Sequence, residues 1–170
     1  MIKLTTRYIL AILIGIFYSI YYTIFKPITL WISFSLIKFL DSSAILINNQ
    51  IYTTSHILTF IDACVAATAY LLLTILILIT RGISWKRRLY MFIFGSILIL
   101  AFNLVRIEIL FYFLLNFKYN IFEDLHMIIW KFLSTIYVFF VWIYLTKYFR
   151  VRQIPIYSDY KYLIKRIKGD

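Results

Sequence analysis

The sequence predicts an all-α integral membrane protein, a polytopic bundle of about four to five transmembrane helices with a polar extracytoplasmic segment before the cysteine helix. Composition is the first reason, because 64% of the 170 residues are hydrophobic and 21% are aromatic. Soluble domains average about 45–50% apolar residues. Order is the second reason, because most of the charged residues fall between long apolar runs. We therefore predict a single membrane domain over residues 1–170.

The net charge of +11 does not indicate a nucleic-acid partner. A protein that binds nucleic acid gathers Lys and Arg on one face of a soluble fold. Here the basic residues flank apolar runs, which is the pattern of a membrane topology signal. The single cysteine excludes an internal disulfide and a multi-thiolate metal site. We predict no nucleic-acid partner, no metal and no organic cofactor.

Four apolar runs approach the length of about 20 residues that a membrane helix requires. No small-residue cleavage site follows the first run, which favours a retained helix over a cleaved signal peptide, and Pro27 is expected to end it. Residues 28–40 are shorter and are predicted to form an interfacial or re-entrant segment. The predicted spans are 8–25, 62–80, 89–115 and 125–146.

Basic residues set the predicted orientation. If the N-terminus is inside, 13 of the 18 basic residues lie on one side of the membrane. They are two residues near the N-terminus, four in the loop 81–88 and seven in the tail 147–170. The positive-inside rule makes that side cytoplasmic. Within residues 41–60, polar residues are interleaved with apolar ones. This pattern predicts a hairpin or loop outside the lipid. The expected location is the plasma membrane, crossed several times, with the functional site facing outside.

Three chemically capable residues lie at one predicted depth: Cys64, Arg106 and His126. Counted from the nearest cytoplasmic charge, they are 17, 18 and 21 residues away along their respective helices. At about 1.5 Å per residue, this places them about 25–32 Å above the inner boundary, at the outer interface of the bilayer core. Taken alone, each residue also has a purely structural interpretation. Cys64 could be a packed thiol, Arg106 a snorkelling cation and His126 a solvated loop residue. Their common depth favours a shared site.

Neighbouring residues support this candidate site. Asn103 is one turn before Arg106 and shares its helix face. Asp62 is expected to cap the helix, leaving Cys64 two positions inside its start, where the helix dipole and a nearby Arg favour a thiolate. Burial and the Asp62 charge oppose that effect. A carboxylate such as Asp124 is expected to orient the ring of His126.

The sequence resembles the exosortase and archaeosortase family, and its brevity is similar to that of the smaller archaeal members. The resemblance covers residues 45–146 and rests on Asp62-Ala63-Cys64, on Phe102-Asn103-Leu104-Val105-Arg106-Ile107 and on His126. It implies a membrane-embedded cysteine peptidase and transpeptidase, in which Cys64 is the nucleophile, Arg106 stabilises charge and His126 handles protons. Many members follow the cysteine with a small hydroxyl residue and glycine, whereas Val65-Ala66-Ala67 follows here.

The resemblance also implies the partners. These are exported proteins whose C-terminal sorting signal combines a short motif, an apolar helix and a basic end, and an acceptor such as a lipid amine, a glycan or water. The alternative function is a non-enzymatic small membrane scaffold or assembly factor, in which Asn103, Arg106 and His126 only hold helices together. A transporter ranks last, because internal repeats are not visible in the sequence.

Overall fold

The structure is a computed structural model, and it describes residues 4–54, 57–61, 64–116 and 134–151 with five tail positions, 155, 157, 159, 160 and 164. Five helices and three strands lie in these ranges: α1 (Leu4–Ile16), α2 (Ser19–Leu40), β1 (Ile45–Ile47), β2 (Gln50–Tyr52), β3 (Ile57–Thr59), α3 (Ala67–Ile79), α4 (Trp85–Asn116) and α5 (Ser134–Tyr148). The predicted helical character is confirmed. The all-α class does not hold for residues 45–59, which form a small antiparallel sheet.

Two helices are long and apolar enough to cross a membrane, α2 with 22 residues and α4 over 30 of its residues. The other three are apolar but shorter, with 13, 13 and 15 residues in α1, α3 and α5. Helix α4 contains the whole predicted span 89–115. Helix α3 begins five residues after the predicted start at residue 62, and the predicted span 125–146 falls partly outside the described residues. Two helices of spanning length are the structural indication of a membrane protein.

The predicted first span, 8–25, is divided in the structure. Helix α1 ends at Ile16 and α2 begins at Ser19. In the intervening turn, the N–H groups of Ile20 and Tyr21 donate to carbonyls three residues back, each at 3.1 Å, instead of four. The apolar run therefore supplies two helices, although its composition gives no sign of an interruption at residues 17 and 18.

Pro27 does not end a helix, and residues 28–40 are not a separate interfacial segment. They form the second half of α2, with Pro27 inside it. A proline in a helix interior costs about 3 kcal/mol, but tertiary contacts hold both sides of it. Before the proline, Phe25 stacks on Tyr70 of α3 with ring centroids 3.6 Å apart. After it, Thr29 is fully buried. Packing therefore outweighs the local preference.

Helix α3 packs against all four other helices. Tyr21 of α2 donates a hydrogen bond to Thr74 at 2.8 Å. On α4, a Cβ added to Gly95 would lie 2.6 Å from Leu73 and 2.8 Å from Leu145, so this glycine lets α3, α4 and α5 meet closely. The described core includes Tyr70, Leu73, Met91, Ile99, Val138 and Leu145.

The C-terminal end of α3 is fastened by Arg88 of α4. The last four carbonyls of a helix lack intrahelical partners. Thr80 donates to the first of them, that of Leu76, through its N–H at 3.2 Å and its hydroxyl at 2.6 Å. The guanidinium of Arg88 donates to the next two, those of Ile77 and Leu78, at 2.7 and 2.6 Å. Arg88 also donates to the Thr80 carbonyl at 2.8 Å.

Arg7 of α1 completes this cluster. Its guanidinium donates to the last α3 carbonyl, that of Ile79, at 2.9 Å. It also pairs with the carboxylate of Asp159 in the tail at 2.6 Å, with both side chains only 4% exposed. The start of α1, the end of α3 and the start of α4 therefore meet at one end of the bundle, and the tail packs onto them.

We predict that Arg7→Met lowers the free energy of unfolding by about 3–5 kcal/mol, because Asp159 is left as a buried, uncompensated charge. Thermal or chemical unfolding in detergent, followed by circular dichroism, measures the change. The double variant Arg7→Met with Asp159→Asn should recover most of the loss. A double variant no more stable than Arg7→Met would contradict this origin of the effect.

Candidate functional site

The sheet forms one wall of the candidate site. Strand β2 lies between β1 and β3, and Ile51 stands opposite Leu58 in the register. Leu58 and Phe60 share one face because side chains alternate along a strand, and the Phe60 N–H donates to the Asn49 carbonyl at 2.8 Å. The predicted hairpin or loop at 41–60 is thus a three-stranded meander whose inner face carries Ile51, Leu58 and Phe60.

Asp41 fastens this sheet to the end of α2. Its carboxylate accepts hydrogen bonds from the N–H and hydroxyl of Ser43 and from the N–H and hydroxyl of Thr54. These bonds, with the Ser43 hydroxyl first, lower the pKa of Asp41 to about 2. One exposed carboxylate therefore joins the residues before β1 to those after β2.

Cys64 lies in a single helical turn before α3, not inside the helix. Its N–H donates to the Ile61 carbonyl at 2.9 Å, and Ala66 adopts a left-handed conformation with φ 55° and ψ 34°. The chain changes direction there, and α3 starts only at Ala67. The predicted position of Cys64 two residues inside the helix is therefore wrong. Asp62, the predicted cap, lies outside the described residues.

Asn103 holds the cysteine turn against α4. Its side-chain amide donates to the Cys64 carbonyl at 2.7 Å, and the residue is 1% exposed. A buried carbonyl at a turn needs such a partner, since an unsatisfied one costs about 1–3 kcal/mol. Asn103, predicted as a supporting residue, thus contacts the backbone of Cys64 rather than its thiol.

Arg106 lies one turn beyond Asn103 and is 7% exposed. Together with Cys64 it lines a cavity of about 70 Å³. The remaining wall is apolar and comes from α2, the sheet and α4: Ile37, Ile51, Leu58, Phe60, Ile107, Leu110 and Phe111. The structure therefore brings two of the three predicted catalytic residues to one small space between elements distant in sequence.

Burial raises the pKa of the Cys64 thiol above its ordinary value. A backbone hydrogen bond with Ile61 and the positive charge of Arg106 both act in the opposite direction but do not offset the burial. The sequence left open whether burial or the cation dominates, and in this structure burial dominates. Burial therefore makes the thiolate harder to form, and a nearby base would favour its formation.

His126 and Asp124 lie outside the described residues, so their predicted roles stay predictions. Tyr137 on α5 was given no role from the sequence. Its ring stacks on Phe102 with centroids 5.8 Å apart, and its hydroxyl is buried within electrostatic reach of Arg106. The available signal was its position near the middle of the predicted span 125–146, away from the interfacial belts where tyrosine is common.

Searches for similar proteins do not identify a family. No protein-family model, curated protein or solved structure matches the chain. Among the residues that the structure describes, no group of three or more His, Cys, Asp or Glu side chains is placed to hold a metal ion. The resemblance to exosortases and archaeosortases therefore remains a prediction from the sequence motifs.

We predict that the free energy of unfolding decreases as the pH falls from about 4 to about 2. Protonation of Asp41 accounts for part of this decrease. Its folded pKa of about 2 lies below the ordinary value of 3.8, so its contribution is present above the ordinary value and disappears as the carboxylate becomes protonated. Unfolding in detergent at a series of pH values measures this loss. Asp41→Asn should show a smaller decline over the same range, and an identical decline in both proteins would contradict the assignment.

We also predict that Ala66→Gly leaves stability equal or raises it by up to about 1.5 kcal/mol. Glycine removes the left-handed penalty of about 1–2 kcal/mol, although it adds a backbone entropy cost of about 0.5–1 kcal/mol. The matched change Ala67→Gly, in the first residue of α3, should only destabilise. Chemical unfolding compares the two variants, and equal losses in both would argue against the left-handed turn.

Proposed function

We propose that this chain is a membrane-embedded cysteine peptidase and transpeptidase resembling archaeosortases. It cleaves the C-terminal sorting signal of exported proteins and transfers the new C-terminus to an acceptor. One observation carries the proposal: Cys64 and Arg106, which are 42 positions apart in the sequence, line the same small cavity. In addition, Ala66 has a backbone conformation that glycine adopts without strain, at the position where many family members have glycine.

The chemistry proceeds in two balanced steps. The Cys64 thiolate attacks the carbonyl carbon of the scissile peptide, the C–N bond breaks and the leaving amine takes a proton, which yields a thioester. An acceptor amine, hydroxyl or water then attacks the thioester and releases the thiol. Arg106 stabilises the negative charge on the carbonyl oxygen in both steps, and it remains charged because a guanidinium does not lose its proton. His126 is the proposed general base and acid.

The proposed orientation places this site on the outer side of the plasma membrane, with α2, α3, α4 and α5 as the crossing helices. Arg7, Arg88 and Asp159 gather at the end of α3 opposite Cys64. Arg88 belongs to the loop 81–88, which the positive-inside rule assigns to the cytoplasm. A cytoplasmic position for this charged end leaves Cys64 toward the outside, where exported substrates are found.

The scaffold alternative is favoured by one observation, the burial that raises the pKa of the Cys64 thiol. In that case, Asn103 and Arg106 only fasten α4 to the turn before α3, and the thiol is a packed apolar group. The two functions differ in what the thiol does. A scaffold tolerates Cys64→Ala, which removes a single sulfur atom and adds no polar group, whereas a peptidase does not.

The relevant substrates are exported proteins whose C-terminal signal consists of a short motif, an apolar helix and a basic end. We predict that Cys64→Ala abolishes their processing. Arg106→Ala should reduce the rate of processing by about 10²–10³-fold. The protein is co-expressed with candidate substrates, and accumulation of the uncleaved form is measured by gel mobility and mass spectrometry. Arg106→Ala removes the cation that stabilises the developing negative charge, whereas Cys64→Ala removes the nucleophile itself.

Lys147→Ala is the matched control, because it removes an exposed positive charge at the end of α5 away from the cavity. It should leave processing unchanged. Membrane levels of each variant, measured in parallel, separate loss of activity from loss of protein. Processing that continues unchanged in both Cys64→Ala and Arg106→Ala would refute the peptidase and favour the scaffold.

A further inference from the structure

A small unfilled cavity lies between α2, the sheet and α4, beside Cys64. Protein interiors are close-packed, and voids larger than a water molecule are few. This cavity has a volume of about 70 Å³, and apart from Cys64 and Arg106 every residue that lines it is apolar. A buried water molecule needs about two to four polar partners. The composition of the wall therefore favours an apolar occupant.

The closed side of the cavity is formed by its most buried wall residues. Ile37 of α2 and Ile51 of β2 are each 1% exposed, and Phe111 of α4 is 2% exposed. Cys64 lies on the more accessible side, since it is only partly buried. An apolar group that binds next to Cys64 therefore leaves solvent for an apolar wall.

Strand register fixes the part of the wall that the sheet provides. Ile51 of β2 stands opposite Leu58 of β3. Phe60 follows Leu58 by two positions, so both side chains lie on one face because side chains alternate along a strand. The wall thus consists of paired strand positions rather than a loop tip. A wall of this kind has a defined shape and can select its occupant by size.

The volume of the cavity sets the size of the occupant. An apolar protein cavity of about 150 Å³ binds benzene. At the same volume per carbon atom, a cavity of about 70 Å³ holds about three carbon atoms. That is the size of a valine side chain, whereas an aromatic ring is too large. The predicted occupant is therefore a short aliphatic group.

We propose that this cavity is a specificity subsite for a short aliphatic side chain of the substrate. The side chain is that of the residue whose carbonyl carbon Cys64 attacks. This residue lies next to the sulfur both in the bound peptide and in the thioester, whereas the residues after the scissile bond leave in the first step. The inference rests on the proposed function, since it names the part of the substrate that the cavity selects, but the preference of the cavity can be measured without a substrate.

A short acidic side chain is the competing occupant, because Arg106 lines the same cavity. However, seven of the nine lining residues are apolar, and moving a carboxylate from water to an apolar wall is costly unless it is paired and hydrogen-bonded. We therefore expect an aliphatic group to bind in preference to an acidic group of similar length. The experiment includes an acidic probe for this reason.

Alkyl methanethiosulfonates probe the cavity, because Cys64 is the only cysteine of the chain. The thiolate attacks the sulfenyl sulfur of the reagent, and a disulfide forms. Methanesulfinate leaves with the electron pair of the broken sulfur–sulfur bond, and the proton of the thiol passes to water. The methyl, propyl, benzyl and 2-carboxyethyl reagents are compared on the purified full chain in detergent, and mass spectrometry measures the rate of modification.

The matched control corrects for partition of the reagents into detergent. It combines Cys64→Ala with Ile97→Cys, which moves the only thiol to a position of α4 that is 57% exposed. Each rate at Cys64 is divided by the rate of the same reagent at this control thiol. We expect the corrected rate of the propyl reagent to be about tenfold higher than the corrected rates of the other three.

Two wall variants test whether the cavity causes this preference. Leu110→Ala enlarges the cavity and should move the highest corrected rate from the propyl to the benzyl reagent. Ile107→Phe adds volume to the wall and should lower the propyl rate to that of the methyl reagent. Circular dichroism verifies the fold of each variant. In a processed substrate, the new C-terminal residue, identified by mass spectrometry, should be short and aliphatic.

Equal corrected rates for all four reagents would overturn the inference, as would a highest rate for the 2-carboxyethyl reagent or a charged or aromatic residue at the new C-terminus. If one of these results occurs while Cys64→Ala still abolishes processing, the proposed function stands without this subsite. If the propyl reagent is fastest but processing survives Cys64→Ala, the proposed function fails, and with it the assignment of the occupant to a substrate, while the preference of the cavity for a short aliphatic group stands.

Discussion

Helix α3 is short and buried, and both of its ends must find hydrogen-bond partners inside the protein. Helix α4 provides them at both places. Arg88 donates hydrogen bonds to carbonyls at the C-terminal end of α3. Asn103 donates a hydrogen bond to the carbonyl of Cys64, just before the start of α3. These two residues are 15 positions apart on α4, about 22 Å along a helix. The carbonyls that Arg88 binds, those of Ile77, Leu78 and Thr80, belong to residues 13, 14 and 16 positions after Cys64, nearly the same separation. Unsatisfied backbone groups therefore fix the register between α3 and α4.

The candidate site is a consequence of that register. Once Asn103 is bonded to the Cys64 carbonyl, the next turn of α4 must carry Arg106 to the level of the thiol, and α2 and the sheet close the cavity around both. The sequence could predict this proximity because the counts along two antiparallel neighbours, 17 and 18 residues, are almost equal. It could not predict the turn, because alanine gives no signal of a left-handed conformation, for which glycine is the usual residue.

Other predictions failed where long-range contacts outweigh local preferences. Because proline disfavours a helix interior, a helix end was predicted at Pro27. In the structure α2 continues through Pro27, because Phe25 stacks on Tyr70 before it and Thr29 is buried after it. Residues 41–60 were predicted as a hairpin or loop from their mixed polarity, and the structure has antiparallel hairpins there. The third strand and the attachment to α2 depend on Asp41 and Thr54, which are 13 residues apart. Tyr137 was missed for a similar reason, since only the packing of α5 on α4 brings its hydroxyl near Arg106.

Burial has two opposite effects on the thiol. It raises the cost of forming a thiolate, but it also strengthens the attraction between that thiolate and Arg106. Two unit charges 4 Å apart attract by about 1 kcal/mol in water and by about 4 kcal/mol at an effective dielectric constant of about 20. Doubling the separation halves the attraction. In an apolar cavity, the distance from the guanidinium to the sulfur therefore decides between an inert packed cysteine and a nucleophile, which makes the residues that hold Arg106 in place as important as Arg106 itself.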